Sequence, residues 1–317
     1  MHRDHLLPLD GNLFLTDGGL ETFLIFHRGI DLPEFAAFDL LKDEEGRREL
    51  RGYYLPFLQL ADDNGVGFIL ESPTWRANSR WGAAVGYDGA ALARANREAI
   101  ALLADLRESK VRGASTVLIS GCIGPHDDGY SPGEVLDANE AQEYHAVQIG
   151  TFAETSADMV SAVTMTYVEE ALGVARAAAG VGMPAVISFT VETDGRLPSG
   201  QPLGEAIEQV DSDTESEVAY FMINCAHPTH FESVLEAGEP WLERVQGVRA
   251  NASRMSHAEL DEATELDDGD PDDLAARYVA LRGRLPKLNV LGGCCGTDHR
   301  HVTQIYAAFK KADLDDQ

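Results

Sequence analysis

Short apolar, β-rich runs alternate with longer stretches of helical spacing from one end of the chain to the other. The runs predicted as strands are Leu13–Thr16, Gly67–Leu70, Thr116–Gly121, Asp158–Ala162, Ala185–Thr190, Ala219–Asn224, Val245–Ala250 and Leu288–Leu291. Between them lie helical patterns such as Ala90–Glu108, Ala138–Glu154, Tyr167–Ala179 and Leu203–Gln209. Strands that keep alternating with helices build a parallel sheet, because each parallel pair needs a crossover. Eight such strands in this length predict an α/β fold of the (β/α)8 barrel type, a TIM barrel. A doubly wound open sheet is the alternative, but no G-x-G-x-x-G follows the first strand. No internal repeat or Pro/Ser-rich linker divides the chain, so residues 1–317 read as a single domain.

Composition narrows the function classes. The chain has 25 Lys+Arg against 53 Asp+Glu, a formal charge of −28, so a nucleic-acid or anionic-membrane surface is not expected. A solvated acidic surface, as in proteins adapted to salt, accounts for the excess. Its densest part, Glu259–Asp273, reads as a surface loop and helix cap ahead of a helical pattern at Leu274–Leu281. No uncharged apolar run reaches the roughly 18 residues needed to cross a bilayer, and Met1–Asp10 has no apolar core of a targeting signal. A soluble, cytoplasmic protein is expected, and the pattern carries no oligomeric signature.

In a parallel barrel, chemistry collects where strands end. Those positions hold Asp17-Gly18-Gly19, the segment Glu71–Asn78, Gly121–His126, Asn224-Cys225 and Gly292–Thr297. Three of the four cysteines, Cys225, Cys294 and Cys295, therefore fall at one end of the barrel. Adjacent cysteines in a regular strand point to opposite faces, so both sulfurs meet one point only if the backbone kinks, which Gly292, Gly293 and Gly296 permit. Three thiolates with one open position suit a catalytic Zn2+. Such a site carries +2 − 3 = −1, a poor setting for activating water but a good one for holding an incoming thiol as a nucleophilic thiolate. Alkyl transfer to sulfur is favoured over hydrolysis. Cys122 reads as a small core hydrophobe. His227, two residues beyond Cys225, is a weaker candidate for a fourth ligand, and strain argues against a Cys294–Cys295 disulfide.

At these residues the sequence resembles the zinc-dependent homocysteine S-methyltransferase family, which includes betaine– and S-methylmethionine–homocysteine methyltransferases. The resemblance runs from about Leu15 to Phe309. It is carried by Thr16-Asp-Gly-Gly-Leu-Glu-Thr22, Glu71-Ser-Pro-Thr-Trp-Arg-Ala-Asn78, Gly121-Cys-Ile-Gly-Pro125, Ile223-Asn-Cys225 and Gly292-Gly-Cys-Cys-Gly-Thr297, of which the last two together are the most specific. It implies a (β/α)8 barrel with zinc on Cys225, Cys294 and Cys295. It also implies Asp17 against the amino group of an amino-acid thiol and the Gly18–Gly19 backbone beside it. Glu71, Thr74 and Asn224 join these as candidate substrate-binding residues.

Two departures bear on the acceptor. After the fourth strand the family usually carries an ammonium-binding Glu within a segment resembling Cys-Glu-Thr, whereas here Ser161-Ala-Val-Thr-Met-Thr-Tyr167 places Val163 at that position. Glu71 and Glu192 are the candidates to compensate. Ala250-Asn-Ala-Ser253 also stands where relatives often have a Pro-Asn-Ser-Gly segment.

The expected reaction is transfer of a methyl group from a small onium donor (S-methylmethionine, betaine or another sulfonium) to a thiol, with homocysteine giving methionine as the leading case. Trp75, Trp81 and Tyr130 could present aromatic faces to the donor's positive charge, although packing alone accounts for such residues. With no second domain to carry cobalamin or folate, a free small-molecule donor is expected. The rival readings are the same chemistry on another thiol or selenol, a non-catalytic zinc- or thiol-binding barrel, and a redox protein using Cys294 and Cys295.

Overall fold

The computed structural model describes residues 11–110 and 116–315; Met1–Asp10, read above for a targeting signal, lie outside them. Eight strands, β1 (Phe14–Leu15), β2 (Gly67–Glu71), β3 (Val117–Ile123), β4 (Met159–Met165), β5 (Ala185–Phe189), β6 (Tyr220–Asn224), β7 (Val245–Ala250) and β8 (Val290–Gly293), pair in sequence order and close on themselves. Every pairing is parallel, including the closing β1–β8 pair. This is the (β/α)8 barrel, and the open doubly wound sheet is excluded.

Each predicted strand is present. β3 and β4 run further than expected, which carries Cys122 and Val163 inside strands rather than beyond them. The helices Gly89–Lys110, Ala138–Ala153, Val168–Gly180 and Leu203–Asp213 match the helical patterns, the last ending four residues later than expected. A 21-residue helix, Glu44–Asn64, lies between β1 and β2 outside the patterns named above, and holds Pro56, which removes a hydrogen bond from a helix interior. Six of its side chains, Leu50, Tyr53, Tyr54, Phe57, Leu58 and Ala61, are buried and fasten it to the barrel, outweighing the local cost.

Two cores result. Outward-facing strand residues such as Leu15, Phe68, Ile187 and Phe221 pack under the helices, together with Tyr54, Phe57 and Phe152. Phe14, Ile69, Leu118, Met159, Val186, Tyr220, Met222 and Val290 fill the barrel itself. Gly67 leaves room for Phe14, because a Cβ there would lie 2.4 Å from its ring. Among the described residues no helix is long and apolar enough to cross a membrane.

Candidate active site

Above the apolar plug the barrel interior turns polar. Ser120 and Ser161 hydroxyls lie 2.8 Å apart. The Asn224 carboxamide oxygen accepts from the Ser188 hydroxyl at 2.6 Å and from the Thr164 amide at 2.9 Å. Its nitrogen donates to the Thr164 hydroxyl at 2.9 Å. Thr164 has φ 64°, a left-handed conformation that is costly for a β-branched residue, at a register shift between β4 and β5. The Asn224 side chain holds this kink in place.

Arg249, at the end of β7, was not identified from the sequence. Its guanidinium bonds the Asp17 carboxylate at 2.7 Å and the carbonyls of Gly293 and Gly18 at 3.1 and 3.3 Å, and lies 3.8 Å from the Glu71 carboxylate. Tyr53 donates a second hydrogen bond to Asp17 at 3.1 Å. Burial raises the pKa of Asp17 above the ordinary carboxylate range, opposed by Arg249. Burial likewise pushes Glu71 up to about 7, against the pull of Arg249. One Glu71 oxygen, Oε2, has no hydrogen-bond partner among the described residues. A charged residue in a strand buried on both faces is the signal that could have exposed Arg249, since such a charge requires partners.

The cysteines meet at the mouth of this polar layer. Cys225 follows β6, and Cys294 and Cys295 follow β8. The end of β7 serves both: the Cys225 amide donates to the Arg249 carbonyl at 3.0 Å, the Cys294 amide to the Ala250 carbonyl at 2.8 Å, and the Ala252 amide to the Cys295 carbonyl at 3.1 Å. All three Sγ atoms lie within 4.8 Å of one another, with Cys225 and Cys295 at 3.7 Å. Sulfurs bound tetrahedrally to one zinc at 2.3 Å would be about 3.8 Å apart, so the donor set fits that ion. Hydrogen bonds from Cys225 and Cys295 hold the Cys294 thiol well below its ordinary pKa, and the same sharing raises Cys225.

The kink that gathers the sulfurs differs from the one expected. Only Gly296 of the three glycines takes a positive φ, 79°, and the other left-handed residue is Cys225 itself at 56°. Gly292 is needed for space, because a Cβ there would overlap the Thr16 hydroxyl at 1.8 Å. Similarly, a Cβ on Gly19 would lie 2.5 Å from the Cys294 carbonyl, which explains a glycine in the Asp17-Gly18-Gly19 turn.

A cavity of about 540 Å³ opens over the cysteines. Of the expected site residues, Asp17, Gly18, Gly19, Glu71 and Asn224 line it, as do Val163, Trp75, Trp81 and Tyr130. Thr74 does not: it is fully buried and spends its hydroxyl on the Cys122 carbonyl at 2.7 Å. Cys122 lines the cavity but stands outside the sulfur cluster, and burial pushes its thiol up. His227 also stands outside the cluster. Its Nδ1 bonds Thr229, capping the helix Pro228–Phe231, and burial lowers its pKa to about 4. Glu192 is half-buried off the cavity and bonds His257 at 3.1 Å.

The aromatic residues are already engaged. The Arg76 guanidinium lies over the rings of both Trp75 and Trp81, at 4.2 and 3.7 Å. Tyr130 stacks on His257 with centroids 4.2 Å apart, and its hydroxyl lies 3.6 Å from Cys225 Sγ and 3.7 Å from Cys295 Sγ. The acidic segment expected to be only surface also contributes: Asp261, Glu265 and Asp267 line the cavity rim, while Asp270 caps the helix Pro271–Arg282 as foreseen. Among the described residues eight carboxylates line the cavity against two cations, Arg76 and Arg249.

Residues 14–309 match the homocysteine S-methyltransferase family. The chain belongs to that family and is a methyltransferase. A maize protein named homocysteine S-methyltransferase 4 is 23% identical over 325 aligned residues, covering 96% of this chain and 92% of the relative. The fold is that of the Escherichia coli homocysteine methyltransferase MmuM. Its oxidized form superposes with a TM-score of 0.73 at 20% identity, over 94% of this chain and 96% of that one. The metallated form gives 0.70 at 19%, over 93% and 96%.

Proposed function

We propose that this methyltransferase is zinc-dependent and moves a methyl group from a small onium donor to homocysteine, giving methionine, with residues 1–317 acting as one barrel domain. The observation that carries the reading is the cluster of Cys225, Cys294 and Cys295 sulfurs facing the cavity at the barrel mouth. Zinc bound there would supply the positive charge that keeps an acceptor sulfur as a thiolate at neutral pH. The chain's own groups do the remaining work. Asp17 and Glu71 receive the acceptor's ammonium, the Gly18–Gly19 backbone lies alongside it, and Asn224 steadies the floor beneath it. The excess of carboxylates over cations draws a positively charged donor into the cavity. Walls including Trp75, Trp81 and Tyr130 exclude water and align thiolate, methyl and leaving group for in-line displacement. A cytoplasmic setting suits four cysteines that are all free.

A second reading, a different thiol or selenol acceptor, is favoured by one observation. Val163 presents an apolar wall to the cavity, and Asp17 is already paired with Arg249. The two readings part on Val163→Glu: with homocysteine as acceptor, the added carboxylate should lower its Kd, and unchanged or weaker binding favours the other acceptor.

The test of the main reading is zinc stoichiometry on reduced protein, followed on the same sample by homocysteine titration and a panel of onium donors. Near one zinc per chain, proton release on adding thiol, and methyl transfer are expected. Cys294→Ala should lose the zinc. A reduced protein without zinc, or unchanged metal affinity in that variant, defeats the proposal.

A further inference from the structure

Cys225 has a positive φ, unusual for a residue other than glycine, and something must hold it there. The restraint is its own carbonyl oxygen. It accepts a hydrogen bond from Asn251 Nδ2 at 2.9 Å, one from His257 Nε2 at 2.8 Å, and a longer one from the Thr190 hydroxyl at 3.5 Å. A carbonyl and a carboxylate both only accept, so the ring donates to Cys225 from Nε2 and, where it bonds Glu192, from Nδ1. All three donors are buried. The other ring nitrogen of His257 faces the Glu192 carboxylate at 3.1 Å, which fixes the ring's orientation from the solvent side. The flat face of the same ring lies under Tyr130, whose planes diverge by only 11°. Tyr130 in turn holds its hydroxyl over the Cys225 and Cys295 sulfurs.

From this we infer that His257, braced by Glu192 and assisted by Asn251, is the positioning residue of the sulfur cluster. One edge of its ring locks the backbone of Cys225, and its face shelves Tyr130 over two of the three sulfurs. The inference rests on the reading of Cys225 as a metal ligand in its first half only; the shelf for Tyr130 exists whatever the sulfurs bind. Groups that orient ligands from behind typically control metal affinity by ten- to a hundredfold.

Two substitutions separate the two duties. His257→Phe keeps a ring under Tyr130 and removes the donor to Cys225. His257→Gln keeps a donor and removes the ring. Zinc affinity, measured by competition with a chromophoric chelator, should fall roughly ten- to a hundredfold in His257→Phe and stay close to wild type in His257→Gln. In metal-free, reduced protein, the rate of Cys225 alkylation by iodoacetamide, mapped by mass spectrometry, should rise in His257→Gln and change less in His257→Phe. Thermal unfolding of each variant reports whether it is folded. If His257→Phe does not fold, Glu192→Ala loosens the same ring from its half-exposed side and should weaken zinc in the same direction by less. Wild-type zinc affinity in His257→Phe, or in Glu192→Ala where it replaces that variant, overturns the locking of Cys225. Unchanged alkylation in His257→Gln overturns the shelf. A wild-type chain that holds no zinc overturns the metal reading and the first half together, and the alkylation result then decides the second on its own.

Discussion

The two ends of the barrel interior are filled on opposite principles. The lower half holds Phe14, Ile69, Leu118, Met159 and Val290, side chains with no hydrogen-bonding demands, packed inside the ring of strands. The upper half, in the same strands a few residues on, holds Glu71, Ser120, Ser161, Ser188, Asn224 and Arg249, all buried. Apolar packing favours the fold directly, whereas each buried polar group must first recover the hydration it loses. The lower half therefore stabilises the barrel, and the upper half is stable only while its partners stay matched. Shape and charge at the cysteines depend on that matching.

The largest effect should come from unmatching the charges. Arg249→Met leaves Asp17 and Glu71 facing each other without a cation, and removal of one partner from a buried ion pair costs about 3–5 kcal/mol. Denaturant unfolding checks this, and a loss below about 1 kcal/mol would mean that water or protonation already relieves the carboxylates. Met159→Ala in the lower half should cost about 2–5 kcal/mol through transfer and cavity terms. Its zinc affinity and acceptor KM should nevertheless stay near wild type, because Met159 neither lines the cavity nor belongs to the sulfur cluster. Equal damage to the site from both substitutions would erase the distinction between the halves.

The pH dependence of stability sharpens the same contrast. Burial raises the Glu71 pKa to about 7, with Arg249 pulling the other way. Between its unfolded value of 4.5 and about 7 the folded protein therefore binds a proton that the unfolded chain has released. Stability then falls as pH rises through that window, by at most about 3 kcal/mol for this one group. Glu71→Gln has no such proton to lose. Relative to wild type its stability should rise between pH 5 and pH 7.5, measured by urea unfolding at each pH. A flat difference between the two proteins would show that Arg249 keeps Glu71 ionised throughout.

The lower half and the strand order were legible in the sequence for the same reason. β-rich runs buried on both faces are continuous and apolar, so Ala185–Phe189 and Tyr220–Asn224 announce themselves without any partner being known. The cysteines were legible because three of them share one end of the barrel. The rest of the upper half was not, because its meaning is pairwise. Arg249 is unremarkable until Asp17, 232 residues away, is brought to 2.7 Å. Asp261, Glu265 and Asp267 look like solvated charge until the loop folds over the mouth, and His257 is one of ten histidines until its ring meets Cys225.

The smallest expected effect tests how finely the upper half is matched. The Ser188 hydroxyl is one of two donors on the Asn224 carboxamide oxygen; the Thr164 amide is the other. Ser188→Ala removes a single neutral hydrogen bond and leaves that oxygen still satisfied, so the expected loss is about 0.5–1.5 kcal/mol. A stability effect of that size is ordinary for any buried hydroxyl. The informative quantity is what happens to the acceptor. Asn224 holds Thr164 in its left-handed conformation and lies beside Cys294, its Nδ2 3.9 Å from Sγ. If the amide is held mainly by its two bonds to Thr164, Ser188→Ala leaves acceptor KM unchanged. If the Ser188 hydroxyl is what keeps the amide from turning over, Thr164 relaxes and KM rises out of proportion to the stability lost. Steady-state kinetics beside unfolding on the same variant reads both quantities, and the first outcome is expected because the two Thr164 contacts together fix which way the carboxamide faces.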